Sequence, residues 1–247
     1  MTQTRIPYGP DESQFGVLWL PAGAVDPLPV VVLVHGGFWR AQYGLELMDP
    51  LAGDLVGRGF AVWNIEYRRV GQDGGGWPGT LADVGAAIDE LAGVATTSPI
   101  DLARVAVVGH SAGGHLALWS AGRADLAPGT PGAAPRVVPA VVIGLGPVGD
   151  VLAAERDGLG GGAVTALLGG PADTYPDRAA AATPRIPRST RAVVVRGGAD
   201  YIVPARYTVP PDSSGIDVVD IPDEDHFDLI DPASASWAAV LEHLAAR

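Results

Sequence analysis

Val105-Ala106-Val107-Val108-Gly109-His110-Ser111-Ala112-Gly113 is the stretch that decides how this chain folds. Val105–Val108 is a continuous aliphatic run, as expected of a strand buried on both faces. Gly114–Ala121 directly behind it suits a helix. Between them lies G-x-S-x-G, the pattern of a sharp strand-to-helix turn with a serine at its apex. Such a turn strains the serine backbone and leaves no room for side chains beside it, so glycine at 109 and 113 has a steric reason. The turn lifts the Ser111 hydroxyl above the sheet edge, next to the free N–H groups of a helix N-terminus. An incidental glycine-rich turn is the plain alternative; the strand before and the helix after argue against it.

Outward from this turn, β-rich runs alternate with Ala/Leu-rich helical windows, the pattern of a parallel sheet covered by helices. Strands are predicted at Phe15–Leu20, Val30–Val34, Phe60–Tyr67, Arg104–Val108, Val137–Leu145, Arg191–Val195 and Asp217–Ile221. Asp49 with Pro50 marks a helix start that runs to Gly57-Arg58-Gly59. Leu81, Val84, Ala87, Ile88 and Leu91 stripe a helix over Thr80–Leu91, and Ala233–Ala246 forms a closing helix. Ala127–Pro135 reads as a surface loop and Gly158–Pro187 as short helices over one sheet edge. With no repeat and no linker, residues 1–247 form one domain.

The 247 residues include 16 basic side chains, all Arg, and 28 acidic ones, for a net charge of −12. That balance argues against a nucleic-acid partner, which needs clustered positive charge. No apolar run approaches the roughly 20 residues of a membrane span, and Met1–Asp11 is too polar for a secretion signal. A cytoplasmic protein acting on a small molecule, without a membrane partner, is the expectation; a homodimer is compatible with it. The absence of Cys removes thiol chemistry and Cys-bound zinc. No HExxH is present and the 5 histidines are not spaced as ligands, so neither a metal nor a cofactor is expected.

His35-Gly36-Gly37-Phe38-Trp39 follows the strand Val30–Val34 at once. Glycines there let backbone amides approach a carbonyl oxygen, so Gly37, Phe38 and Ala112 are candidate oxyanion donors, and the Phe38 ring would help wall the pocket. His35 is better read as ordering this loop than as a base. In folds built on this elbow the partners follow in the order serine, acid, histidine. His243 lies inside the closing helix, which leaves His226, in the loop after the strand ending at Ile221, as the base. Asp200 follows Arg191–Val195 through Gly197-Gly198-Ala199, at the sheet edge where ligands bind. Asp223, Glu224, Asp225 and Asp228 are too near His226 to come from a separate strand end and read as a solvated acidic loop. Trp39, Trp77 and Tyr201 are candidate substrate-binding walls, although each is also plausible as ordinary packing.

HGGFW at 35–39, GHSAGG at 109–114, GGADYIVP at 197–204 and DHFDLID at 225–231 together resemble the α/β-hydrolase superfamily, in its esterase and prolyl-oligopeptidase-like branch. Within it the chain resembles the kynurenine formamidase-like (arylformamidase) group and the neighbouring small carboxylesterases. The likeness implies an α/β-hydrolase fold: a mostly parallel eight-stranded sheet with helices on both faces and no large cap domain. It implies a cofactor-independent serine hydrolase for small ester or formamide bonds, with Ser111, Asp200 and His226 as triad and Gly37, Phe38 and Ala112 as oxyanion donors. Glu66-Tyr67-Arg68 resembles a structural segment of these enzymes, and His115 is expected to pack against the loop near His35. Gly158–Pro187 and the N-terminal arm are left to shape the pockets. A peptide-releasing hydrolase and a catalytically silent binding protein are the rival readings.

Overall fold

Alternate residues along the central strands face opposite sides of one sheet, and each side is dry. Val30, Val32 and Val34, with Val105, Val107, Ala192 and Val194, enter one apolar layer; Val31, Leu33, Ala106, Val108, Val193 and Val195 enter the other. Continuous aliphatic runs are what strands covered on both faces require. The computed structural model describes residues 1–212 and 214–245. Its strands are β1 (Thr2–Pro7), β2 (Phe15–Leu20), β3 (Leu28–Val34), β4 (Ala61–Ile65), β5 (Ile100–His110), β6 (Val141–Leu145), β7 (Arg191–Gly197) and β8 (Ile216–Ile221).

They form one 8-stranded sheet in the order β1-β2-β4-β3-β5-β6-β7-β8. β1 and β2 join antiparallel, and the pairings from β4–β3 onward are parallel. Helices α2 (Gly79–Val94) and α3 (Ala112–Ala121) cover the first layer; α1 (Asp49–Gly57) and α7 (Ala235–Ala245) cover the second. This is the α/β-hydrolase fold. β3 has β4 on one side and β5 on the other, so successive crossovers leave in opposite directions and open a crevice at the strands' C-terminal ends. The loops after β3 and β5 meet there.

Several expectations shift. The polar N-terminal arm is an edge strand, β1, hydrogen-bonded along Thr2–Pro7 to β2. The strand expected from Val137 begins only at Val141, because Asp89 of α2 accepts the amides of Arg136 (2.9 Å) and Val137 (3.0 Å). Asp49 is not a cap: a 3₁₀ turn, Leu45–Met48, runs straight into α1, and the Asp49 carboxylate accepts from Asn64 Nδ2 instead. The closing helix starts at Ala235, where Glu224 accepts the Ala235 amide at 2.6 Å; its expected end at Ala246 lies outside the described residues.

The segment Gly158–Pro187 does form short helices, following α4 (Val151–Arg156): α5 (Leu159–Leu168) and α6 (Pro176–Ala182). They lie against α3 and its layer. His115 donates Nε2–H to Ala182 O at 2.7 Å, and Trp119 donates Nε1–H to Ala181 O at 2.9 Å.

Candidate active site

Ser111 sits at φ 57°, ψ −119°, a conformation that costs a non-glycine residue about 1–3 kcal/mol and concentrates at functional positions. The strain is held from both sides. The Ser111 amide donates to Leu145 O at the end of β6 (2.8 Å), and its carbonyl accepts the amides of His115 (3.1 Å) and Val148 (3.3 Å). A Cβ on Gly113 would stand 2.1 Å from Val34 O, which is why the elbow tolerates only glycine there.

β7 delivers Asp200 and the loop after β8 delivers His226. Asp200 Oδ1 accepts the amides of Ile202 and Val203, both at 2.9 Å, which leaves Oδ2 for the His226 Nδ1–H at 2.6 Å. Because that partner is a carboxylate oxygen, Nδ1 carries the proton and Nε2 is left as a base. His226 and Ser111 line one cleft. The acidic residues around His226 act as scaffold: Asp225 accepts the amides of Phe227 and Asp228, while Glu224 caps α7.

The loop after β3 is strained as well. Gly37 (φ 105°), Phe38 (φ 52°) and Trp39 (φ 56°) all take positive φ, in a turn closed by Arg40 N–H to Gly37 O at 3.0 Å. Among the described residues, the amides of Gly37, Phe38 and Ala112 are bonded to no protein acceptor. His35 is completely buried beneath this loop, stacked on Tyr67 at 4.5 Å. Its Nδ1 meets Gly36 O at 2.8 Å and its Nε2 meets Glu66 Oε1 at 2.9 Å. Burial by itself would raise the Glu66 carboxyl, but the His35 bond and charge, Arg69 and the Tyr67 amide together hold it below its ordinary value. Arg69 is the arginine that pairs with Glu66 (3.3 Å), and Arg68 turns away to Asp83 (2.8 Å).

The cleft has a volume of about 80 Å³ and is lined by Gly37, Phe38, Tyr43, Leu47, His110, Ser111, Ile202, His226 and Phe227. No Asp, Glu or Arg side chain is among them. Phe38 is covered in turn by the glycine run of α5, whose Gly160 carbonyl accepts from Arg40.

Of the aromatic walls expected from the sequence, Phe38 lines the cleft, and Trp39, Trp77 and Tyr201 do not. Trp39 is fully buried, packed edge-on against His115 at 5.2 Å, so its outward reading is corrected to a core position. His115 therefore packs against the loop that follows His35, through Trp39, and on α6. Trp77 is half-buried against the core beneath α5, its amide bonded to Leu167 O at 2.7 Å. Tyr201 is 79% exposed and does not line the cleft that its neighbour Ile202 lines. The remaining walls, Tyr43, Leu47, Ile202 and Phe227, were missed. Ile202 and Phe227 had a signal, since each lies within two residues of Asp200 or His226; Tyr43 and Leu47 had none. His243, in α7, receives a bond from Arg191 far from the cleft.

Among the described residues no three acidic or histidine side chains gather as a metal ion would need, and no helix is long and apolar enough to cross a membrane.

Carboxylesterase NlhH of Mycobacterium tuberculosis is 37% identical over 101 residues, 40% of this chain and 30% of the relative. Esterase LipC of the same organism is 32% identical over 117 residues, 45% of this chain and 28% of the relative. The chain thus spans about a third of the length of these curated relatives. Among solved structures, a truncated carbohydrate esterase from gut microbiota superposes with a TM-score of 0.84 at 19% identity, covering 99% of this chain and 95% of that one. A bacterial heroin esterase superposes with a TM-score of 0.71 at 22% identity, covering 99% and 83%. These likenesses match the esterase side of the resemblance read from the motifs; the formamidase side rests on the motifs alone. Residues 18–210 match BD-FAE, and the chain belongs to that family.

Proposed function

We propose that this protein is a serine esterase that cleaves short-acyl esters through Ser111, His226 and Asp200. One observation carries the reading: a strained serine and a histidine whose Nδ1–H is fixed on a buried carboxylate open on the same cleft. In this mechanism His226 Nε2 takes the Ser111 proton as the hydroxyl attacks the ester carbonyl. The amides of Gly37, Phe38 and Ala112 receive the developing oxyanion, each such donor being worth about 3–4 kcal/mol. The imidazolium then protonates the leaving alcohol, and water resolves the acyl-enzyme by the same steps.

The cleft is small and walled by Phe38, Leu47, Ile202 and Phe227, which favours short acyl groups such as acetyl to butyryl. Its uncharged lining offers nothing to a free amine or C-terminal carboxylate, which speaks against a peptide-releasing enzyme. Intact Ser, His and Asp speak against a silent binding protein. The names of the esterase relatives support the same class.

The motif likeness to arylformamidases supports a second substrate, an N-formyl aromatic amine. Measuring kcat/KM for p-nitrophenyl acetate, butyrate and octanoate beside N-formyl-L-kynurenine separates the two. The expected result is a maximum at acetate or butyrate, with turnover reduced by several orders of magnitude in Ser111→Ala. A formamide rate above every ester would replace the ester reading; undiminished turnover in Ser111→Ala would end both.

A further inference from the structure

The residue before the nucleophile, His110, has a geometry that the mechanism above does not use. It ends β5, is 2% exposed, and donates Nε2–H to the backbone carbonyl of His226 at 2.9 Å. Its ring lies 4.5 Å from the His226 ring and 6.3 Å from that of Phe227. On its other side the glycine loop closes over it: a Cβ on Gly36 would stand 3.0 Å from His110 Nδ1. One side chain therefore touches the strand that carries the nucleophile, the loop that carries the base and the loop that carries the oxyanion donors.

We propose that His110 is a positioning residue for His226, and that its Nε2–H donor sets where the base points. The inference rests on the assignment of Ser111, His226 and Asp200 made above. His226 is gripped at its side chain by Asp200 and at its own carbonyl by His110, and two such holds at opposite ends of a residue define the direction of the imidazole. Misplacement of a reacting group by about 1 Å can cost on the order of a hundredfold in rate.

The chemistry of the position explains the residue type. The partner is a carbonyl, so the side chain must donate; an ionised Asp or Glu cannot. It stands beside a ring that becomes an imidazolium, so it must not be charged; Lys or Arg would oppose that charge. A neutral histidine meets both needs. Burial first, and the nearby His226 and His35 charges next, push the His110 ring down to about 3. The groups facing it are His226 with Asp200 behind it, and His35 with Glu66 behind it. With Nε2 carrying the proton, Nδ1 is a bare acceptor that is buried without a partner. That orphaned atom costs about 1–3 kcal/mol, a cost a merely space-filling residue would not need to carry.

The test uses amides of two lengths. A Gln amide nitrogen reaches the place of Nε2, an Asn amide only that of Nδ1, and Phe keeps the ring without a donor. On p-nitrophenyl acetate, His110→Phe and His110→Asn are expected to lose about 10- to 100-fold in kcat with KM within about twofold. His110→Gln is expected to stay within about threefold of the natural protein. In the Phe and Asn variants the acid limb of kcat/KM moves to lower pH, because a loosened Asp200 bond stabilises the His226 imidazolium less, and the downfield proton resonance of that bond broadens. Gln restores both. Natural kcat, pH limb and resonance in the Phe or Asn variant would overturn the proposal, as would a Gln variant as impaired as the other two. Should the Phe variant fail to fold, the Asn–Gln pair decides the same question. Ser111→Ala run alongside separates the failures: turnover surviving there sinks the assignment of the nucleophile, not the role of His110.

Discussion

Glu66 accepts Nε2–H of the buried His35 at 2.9 Å, and through that bond a carboxylate after β4 sets the backbone of the loop after β3. Both ring nitrogens of His35 face acceptors, Glu66 Oε1 and Gly36 O, so the ring cannot turn without losing one of them. The same carboxylate accepts the amides of Tyr67 (2.9 Å) and Leu45 (3.2 Å), and its partner Arg69 donates to Tyr43 O. Glu66 thereby steadies the Gly37 amide and the Tyr43 wall together. Glu66→Gln keeps the size and loses the charge that His35 and Arg69 share. Its kcat is expected to fall about 10- to 100-fold, less than the loss of Ser111 because the donors remain but wander. Steady-state kinetics beside a denaturant midpoint check this, and a change in KM alone would contradict it.

Gly146 follows β6 at φ +50° and lies against the Asp200–His226 pair. A Cβ there would stand 2.8 Å from Leu229 Cδ1, 3.1 Å from Asp200 Oδ2 and 3.3 Å from His226 Nδ1. Gly146→Ala therefore pushes on the 2.6 Å bond between them. Left-handed backbone costs an L-residue about 1–2 kcal/mol, so the variant is expected to fold with reduced stability. Its kcat should drop by more than that stability loss alone implies. Asp200→Asn gives the limiting case: the amide favours the wrong imidazole tautomer, and a loss of about 10⁴-fold in kcat is expected. Activity in Gly146→Ala equal to that of the unaltered protein, at equal folded fraction, would refute this expectation.

Leu47 lines the cleft opposite no charged group, which makes it the simplest place to lengthen the acyl pocket. Leu47→Ala opens space for additional methylenes, each worth about 0.8 kcal/mol when buried. Two of them should raise hexanoate relative to acetate by about tenfold. The ratio of kcat/KM for the two p-nitrophenyl esters measures it; an unchanged ratio would place the acyl chain on another wall.

What could be read in the sequence was what the backbone demands locally. The elbow, the glycine loop and the loop carrying Asp200 are signalled by glycines at fixed offsets from aliphatic strands, and backbone strain can be met only with those residues. The walls carry no such mark. Tyr43 is held by Arg69, and the turn that carries Leu47 is held by Glu66 at Leu45, contacts across 26 and 21 positions that no window of sequence contains. Trp39 misled for the opposite reason: the positive φ at Phe38 and Trp39 turns the tryptophan inward, and aromatic character alone does not say which way a loop faces. β1 was missed because it is an edge strand with an almost wholly exposed face pattern, so it lacks the apolar alternation by which strands are recognised.

The buried histidines give the fold an acid dependence of known sign. Burial drives the rings of His110 and His115 down to about 3 and about 4, from the 6.5 of an exposed histidine. The unfolded chain therefore binds two protons between these limits that the folded chain refuses. Stability from this source is fully present above pH 6.5 and is lost as pH falls, at about 1.4 kcal/mol per pH unit for each ring. Two rings imply a slope near 3 kcal/mol per unit between about pH 6 and pH 4.5, with carboxylates such as Glu66 adding only at lower pH. His115→Gln retains a donor for Ala182 O while removing the titration, so it should flatten that slope by about half whatever its effect on the plateau above pH 7. Urea midpoints from pH 4.5 to 8 make the comparison. An unchanged slope in the variant would mean that His115 takes up its proton in the folded state, and that its bond to Ala182 is open to water.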